Sequence, residues 1–395
     1  MVRKLLFSSL FLMFWILSIA QKNHPPSTII SPGKYTTDLS CASDKMTKDL
    51  YAKFPDRKKK MDDINANISS LLKLKGSMKK SGTGTVYTIP VVVHIIHNNG
   101  LENISDAQVL QGIQDLNDGF ANQGSYQDVN GVDVEIVFCM AERDPNGNAT
   151  NGITRDVNTL TNMYKYDDIA LKNINRWNPN DYLNIWLVQS ITSLSSGPGV
   201  VGYAYLPSSH GQPEDGIVNE AAYFGSSTGN SNVHIHEAGH YLGLYHTFEG
   251  GCTNNDCQSD GDRVCDTPPD NSTAYVACNA TVNTCSTDDD DLSANNPFRP
   301  IANGGIGDQD DFVQNHMDYG DIACHTSFTN GQRDRMRTAL TTSRYSLLQS
   351  NGCVSPCNDP MTISFTASAT AVTIGSNVNF NRDRKSTRLN SSHDQ

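Results

Sequence analysis

His236-Glu237-Ala238-Gly239-His240-Tyr241-Leu242-Gly243-Leu244-Tyr245-His246 has the form H-E-x-x-H-x-x-G-x-x-H, five specified positions at fixed spacing. On a helix His236 and His240 stand one turn apart on one face, so both imidazoles reach a single ion about 2.0–2.1 Å from each nitrogen. Glu237, roughly 100° further round the helix, is then beside the ion and not bound to it. Gly243 can take a positive φ, which ends the helix and brings His246 across as a third ligand. Three nitrogen ligands leave one position for water, as in a catalytic zinc site. Zn²⁺ there lowers the pKa of its bound water towards about 7, and Glu237 is the base that takes the proton and later delivers it to a leaving amine. The expected reaction is hydrolysis of peptide bonds without a covalent intermediate. His234 should face away from the metal, and His94 and His97, alternating with apolar residues, should be structural.

Outward from the signature, Tyr87 to Ile96 is β-branched and reads as a strand. Strand-like runs recur at Val132 to Met140, Tyr182 to Val188, Val200 to Tyr205 and Gly216 to Phe224. Ser105-Asp106-Ala107-Gln108 has the capping-box form, with Val109, Ile113, Leu116 and Phe120 on one face of the helix that follows. Thr329-Asn330-Gly331-Gln332 starts another helix. The stretch between, rich in Gly, Asn, Asp and Cys, predicts an irregular second lobe after an α/β first lobe.

The chain has 395 residues, 37% of them hydrophobic, and a net charge of −12. Wholesale disorder, a collagen-like repeat and a multi-span membrane protein are excluded by that composition, and a broad phosphate-binding surface by that charge, so nucleic acid is not an expected partner. The charge is divided: residues 42–82 carry a balance of +6 and residues 85–353 one of −22.

Met1 to Ala20 has Arg3 and Lys4, an apolar run of about 15 residues and a Ser18-Ile19-Ala20 cleavage site. It reads as a secretory signal peptide; a membrane anchor would need about 20 apolar residues. The mature form is thus expected to be secreted, with no membrane span. Ten cysteines in an exported chain imply disulfides. Six of them, Cys252, Cys257, Cys265, Cys278, Cys285 and Cys324, fall in the irregular stretch; spacing leaves their connectivity open. Apart from Cys41 nine cysteines remain, so at least one is unpaired or without its partner. Residues 383–395 contain Asp383 to His393, which reads as the translation of a sequencing adapter. The expected organisation is a signal peptide (1–20), a pro-segment at most partly helical (21–84), a catalytic domain (85–353), the start of a truncated β-sandwich-like module (354–382) and the adapter artefact (383–395).

The signature resembles that of the metzincin zinc peptidases, which also carry a methionine-bearing turn. Asn315-His316-Met317-Asp318-Tyr319 looks like that turn. By resemblance Met317 forms the floor under the metal, and the Tyr319 hydroxyl approaches the zinc or the reaction intermediate. Thr247 to Cys252, Gly261-Asp262-Arg263-Val264-Cys265-Asp266-Thr267-Pro268, Phe328 to Gln332 and Asp144-Pro145-Asn146-Gly147 resemble the pappalysin family, in its cytophagalysin and ulilysin-like branch, over roughly residues 85–353. The resemblance implies an α/β (α+β) metzincin-like fold: a twisted mixed sheet with a backing helix and the active-site helix, then an irregular, disulfide-stapled C-terminal lobe. It also implies protein or peptide substrates and a structural calcium ion, for which Asp262, Asp266 and Thr267 offer hard oxygen donors. Two departures stand out. His316 replaces a more usual aromatic or apolar residue, and Ala323 stands where members that cleave before basic residues have an acid, with Asp321 as the nearby alternative.

Cys41-Ala42-Ser43-Asp44-Lys45-Met46 resembles the pro-segment motif in which a cysteine takes the open zinc position. On this reading Cys41 keeps a zymogen silent, the pro-segment acting as the chain's own inhibitor and docking by charge until cut within Lys73 to Ser81. A disulfide from Cys41 to a partner such as Cys139 is the competing reading. The alternative function is a non-catalytic secreted adhesion or matrix-binding protein on a peptidase scaffold, and a third reading is another metzincin family such as the matrixins or astacins.

Overall fold

The computed structural model describes residues 40–77, 84–192, 199–271, 276–278, 280–286, 292–356, 364–367 and 380–383. The expected signal peptide, the end of the Lys73–Ser81 stretch and the tail from residue 384 lie outside the described residues. Of the expected β-sandwich module, strands Ser364–Ala367 and Phe380–Asp383 are described and pair antiparallel.

The first lobe is a mixed sheet around one long strand. In chain order the elements are β1 (Ser40–Cys41), α1 (Ser43–Lys53), α2 (Pro55–Ser77), β2 (Tyr87–His97), α3 (Asp106–Phe120), β3 (Ile136–Met140), β4 (Ile153–Val157), β5 (Asn162–Tyr164), α4 (Asp168–Lys172), β6 (Leu183–Val188), β7 (Ser190–Thr192), β8 (Val200–Ala204), β9 (Ile217–Glu220), α5 (Thr228–Tyr241) and α6 (Asn330–Thr342). The main sheet has the order β1-β8-β9-β6-β2-β3, with β4 also on β2. Strands β2, β3, β4, β6 and β9 run parallel, β8 is antiparallel to β9, and β1 joins β8 in parallel. β2 and β6 read as near-continuous Val/Ile/Leu because both their faces are covered. Val91, Val93, Ile95, Ile185 and Leu187 pack with Val109, Ile113, Leu116 and Phe120 of α3 and Ile235, Ala238 and Tyr241 of α5 in one core. Ser105 caps α3 through Gln108 N as expected, but the Gln108 side chain donates to the Phe224 carbonyl and so does not close the reciprocal half of the box.

Residues 21–84 were expected to be at most partly helical, and residues 40–77 and 84 of them are described. Their described part is largely helical, because Met46, Leu50, Met61 and Ile68 bury themselves and Lys58–Asp62 and Lys59–Asp63 pair one turn apart. Met46 and Leu50 join a core cluster with Trp186, Val200, Tyr203 and Tyr205 of the body. Charge contributes less than the +6 balance suggested: Arg57 and Lys73 reach Glu214 and Asp256, while Lys58 and Lys59 spend theirs within α2.

The second lobe is irregular, as expected, and stapled by Cys252–Cys285, Cys257–Cys265 and Cys278–Cys324. Cys139 pairs with Cys353, tying β3 to the end of the domain; Cys41 is therefore not its partner and carries a free thiol. The thiol-to-Cys139 reading is overturned. Among the described residues, no helix is long and apolar enough to cross a membrane.

Candidate active site

α5 begins at Ser227, whose hydroxyl accepts from Asn230 N, and crosses the core so that residues 231–241 are buried. Gly243, at φ 98°, ends it, and the chain turns to bring His246 back. The three Nε2 atoms then converge: His236 to His240 is 3.0 Å, His240 to His246 3.1 Å and His236 to His246 3.2 Å. A tetrahedral zinc with Zn–N of 2.0–2.1 Å sets its ligand nitrogens about 3.3–3.4 Å apart. His236 and His240 each bond a backbone carbonyl through Nδ1, at His316 (2.6 Å) and Leu244 (2.9 Å). A carbonyl only accepts, so Nδ1 carries the proton and the Nε2 lone pair faces the centre. Burial first, and the neighbouring rings second, hold His236 well below the usual imidazole range and His240 down to about 3. Lone pairs of neutral rings crowded at this distance call for a cation, so the donor set fits Zn²⁺.

Glu237 is buried, and burial pushes its carboxyl up to about 8. Gly202 in β8 lets it sit there, since a Cβ would come 3.0 Å from Glu237 Oε1. Met317 is fully buried beneath the helix, its sulfur lying where a side chain at Gly239 would be. The methionine turn is locked to α6 by a reciprocal amide pair between Asn315 and Gln332, while Gln332 also completes the Thr329 capping box. The buried ring of His316 lies 4.6 Å from that of Phe328, and its carbonyl meets His236 Nδ1. Tyr319 stands 4.9 Å from the His246 ring.

The segment before the body fills the cleft. Cys41 Sγ lies within 4.8 Å of all three ligand nitrogens and 3.4 Å from Glu237 Oε2. Tyr319 OH donates to the Cys41 carbonyl at 3.0 Å and receives its N–H at 3.1 Å. Two neighbours that the sequence reading passed over also take part. The Ser43 hydroxyl donates to Glu237 Oε2 at 3.0 Å and accepts from Ala204 N, and Asp44 accepts from His246 Nδ1 at 2.9 Å. Both lie in the quoted Cys41–Met46 stretch, but only the fold shows what they meet some 200 residues on.

Other expectations sort as follows. His234 faces away, bonding the Gly112 carbonyl and packing on Phe224; His94 is buried between Thr154 and Asn184, and His97 is also buried. Asp262 is buried, its carboxyl raised to about 7 by that burial, with Thr267 Oγ1 2.7 Å from it and 3.2 Å from the Val264 carbonyl. Asp266 stands near enough for its charge to raise Asp262 further. It accepts from Thr329 Oγ1 and Gly331 N, because the first N–H groups of α6 need an acceptor. Beside the histidines a pocket is lined by Cys41, Val201, Asn232, Val233, Asp318, Ile322 and His325, among others. Asp321 instead caps the 322–324 turn by accepting from Ala323 N.

A family profile described as Pregnancy-associated plasma protein-A, of the peptidase M43 class, matches residues 164–341. A promirolysin variant from Tannerella forsythia is 28% identical with a TM-score of 0.57, covering 78% of this chain and 97% of that one. Mature mirolysin from the same organism, in complex with a cleaved peptide, is 30% identical with a TM-score of 0.52, covering 67% and 96%. An extracellular metalloprotease of Colletotrichum graminicola is 35% identical over 188 residues, 45% of this chain; the chain spans only 56% of that relative's length.

Proposed function

The chain belongs to the pappalysin family of metzincin zinc metallopeptidases, and from that premise we propose that it is a secreted endopeptidase, made as a zymogen, that hydrolyses peptide bonds in proteins. The observation that carries this is the triangle of His236, His240 and His246 nitrogens with the Glu237 carboxylate beside it. Zinc held there would supply a Lewis acid to polarise the scissile carbonyl and activate water. The chain's own residues do the rest. Glu237, beside the ligand nitrogens, takes a proton from the attacking water and passes it to the departing amine nitrogen as the C–N bond breaks. Tyr319 OH, freed from Cys41, donates to the developing oxyanion. With β1 gone, β8 becomes an edge strand and offers to an extended peptide the backbone groups that it gives to β1 in the uncleaved chain. The apolar walls Val201, Val233 and Ile322, with His325 held neutral by burial at a pKa of about 4, favour an uncharged side chain after the scissile bond.

Latency follows from the same contacts. Residues 21–84 form the pro-segment, Cys41 takes the fourth ligand position, and Ser43 occupies Glu237. Cys41→Ala is expected to give the uncleaved chain measurable activity; a chain as silent as wild type would remove the thiol from the mechanism. Calcium is the second cofactor of this reading, at Asp262, Asp266 and Thr267, supported by the hard oxygens these neighbours offer in one loop.

A proteome-derived peptide library digested with purified mature protein tests the whole. Cleavage should appear with wild type and fall by about 10²–10⁴-fold with Glu237→Ala or after chelation. Zinc retained by the wild type without cleavage would favour the adhesion-protein alternative.

A further inference from the structure

Each ligand imidazole has a second nitrogen, and the partner of that nitrogen sets how well the ring binds a metal. His236 and His240 find theirs within the body, at the carbonyls of His316 and Leu244. His246 does not: its Nδ1 meets Asp44 Oδ2, 2.9 Å away, in the first turn of α1. The His246 ring is fully buried, 4.6 Å from Phe248 and 4.9 Å from Tyr319, whereas the Asp44 side chain is 54% exposed. Packing therefore does not oblige Asp44 to point inward. An acid in a first helical turn is favoured by the backbone dipole wherever its side chain points, so that preference does not account for the contact either.

We propose that Asp44 is a positioning residue of the metal centre. The pro-segment supplies the outer partner of the third ligand, so the uncleaved chain holds zinc more tightly than the body does once the segment has gone. A carboxylate that accepts from Nδ1–H fixes the tautomer with its lone pair on Nε2 and makes that nitrogen more basic, and a charged acceptor makes the stronger hydrogen bond. The segment that blocks the cleft also completes the site for loading, and its removal leaves His246 Nδ1 without this partner. This inference rests on the zinc-peptidase reading above.

The test is the zinc dissociation constant of the intact, uncleaved chain, measured by competition with a chromophoric chelator. Asp44→Ala should weaken binding roughly 10–100-fold, the usual cost of losing such an outer partner, and Asp44→Glu should restore part of it. The same loss should appear on a Cys41→Ser background, where the thiol contributes nothing. With cobalt in place of zinc, the thiolate-to-metal absorption band should persist in Asp44→Ala, showing Cys41 still seated. An unchanged zinc constant in Asp44→Ala overturns the proposal, as does loss of the cobalt band, which would mean that the substitution acts by releasing the segment. A wild-type chain that takes up no zinc would overturn the peptidase reading as well, and so is told apart from the first result.

Discussion

Between Tyr87 and Tyr241 the chain organises itself by burying aliphatic side chains: Val91, Val93, Ile95, Ile185 and Leu187 are wholly inaccessible, and the backbone polar groups beside them are taken up by strand pairing. Between His246 and Phe328 the described residues form short 3-10 turns and an isolated bridge from Asn315 to Ser327, and order comes from disulfides and from acids accepting backbone and hydroxyl protons. Asp270 and Asp311 both receive the Thr284 hydroxyl. The active site draws on both regimes. His236, Glu237 and His240 ride on a helix in the packed lobe, while His246 and Tyr319 stand in the stapled one. The chemistry thus depends on two regions of different physical origin keeping register.

That contrast is open to breakage. The largest expected effect is in the packed lobe: Leu187→Ala should cost about 2–5 kcal/mol in urea titrations, with far-UV circular dichroism and peptidase activity lost together. Separated transitions there would mean that the two regions do not share the sheet as a common support. Replacing both Cys252 and Cys285 by Ser opens a loop with a sequence separation of 33, at about 2–4 kcal/mol. Activity should then fall at lower urea than far-UV dichroism, because His246 and Tyr319 loosen while the sheet holds; coincident loss would mean that the two regions unfold as one. The smallest effect concerns calcium. At a hundredfold excess over its Kd it should add up to about 2.7 kcal/mol to the wild type, seen as a rise in Tm that Asp262→Ala abolishes. A rise that survives in Asp262→Ala places the ion elsewhere.

Much of the packed lobe was legible from residue pattern. The apolar runs at 87–96 and 182–188 correspond to strands because periodicity and burial are local properties. The run expected from Val132 became a strand only from Ile136, since Glu135 adopts φ 57° and breaks the extended chain. How much of residues 43–77 is helical was not legible: their lysines dominate the composition, and the sparse Met46, Leu50, Met61 and Ile68 that anchor them show their purpose only against the body. In the stapled lobe the cysteines announced disulfides but not their pairing, and the bonds of Asp266 to the start of α6 had no local signature.

For the site itself, spacing along one helix was enough to nominate His236, Glu237 and His240, and a glycine-ended turn was enough to add His246, because ligand geometry within eleven residues is set by the backbone alone. What encircles those ligands was settled only by folding. The His316 and Leu244 carbonyls, Ser43 on Glu237 and Asp44 on His246 are contacts without a sequence signature, two of them spanning about 200 positions. Such hydrogen bonds depend on where a sheet edge and a helix terminus come to rest, and that is decided by the packing of the whole core.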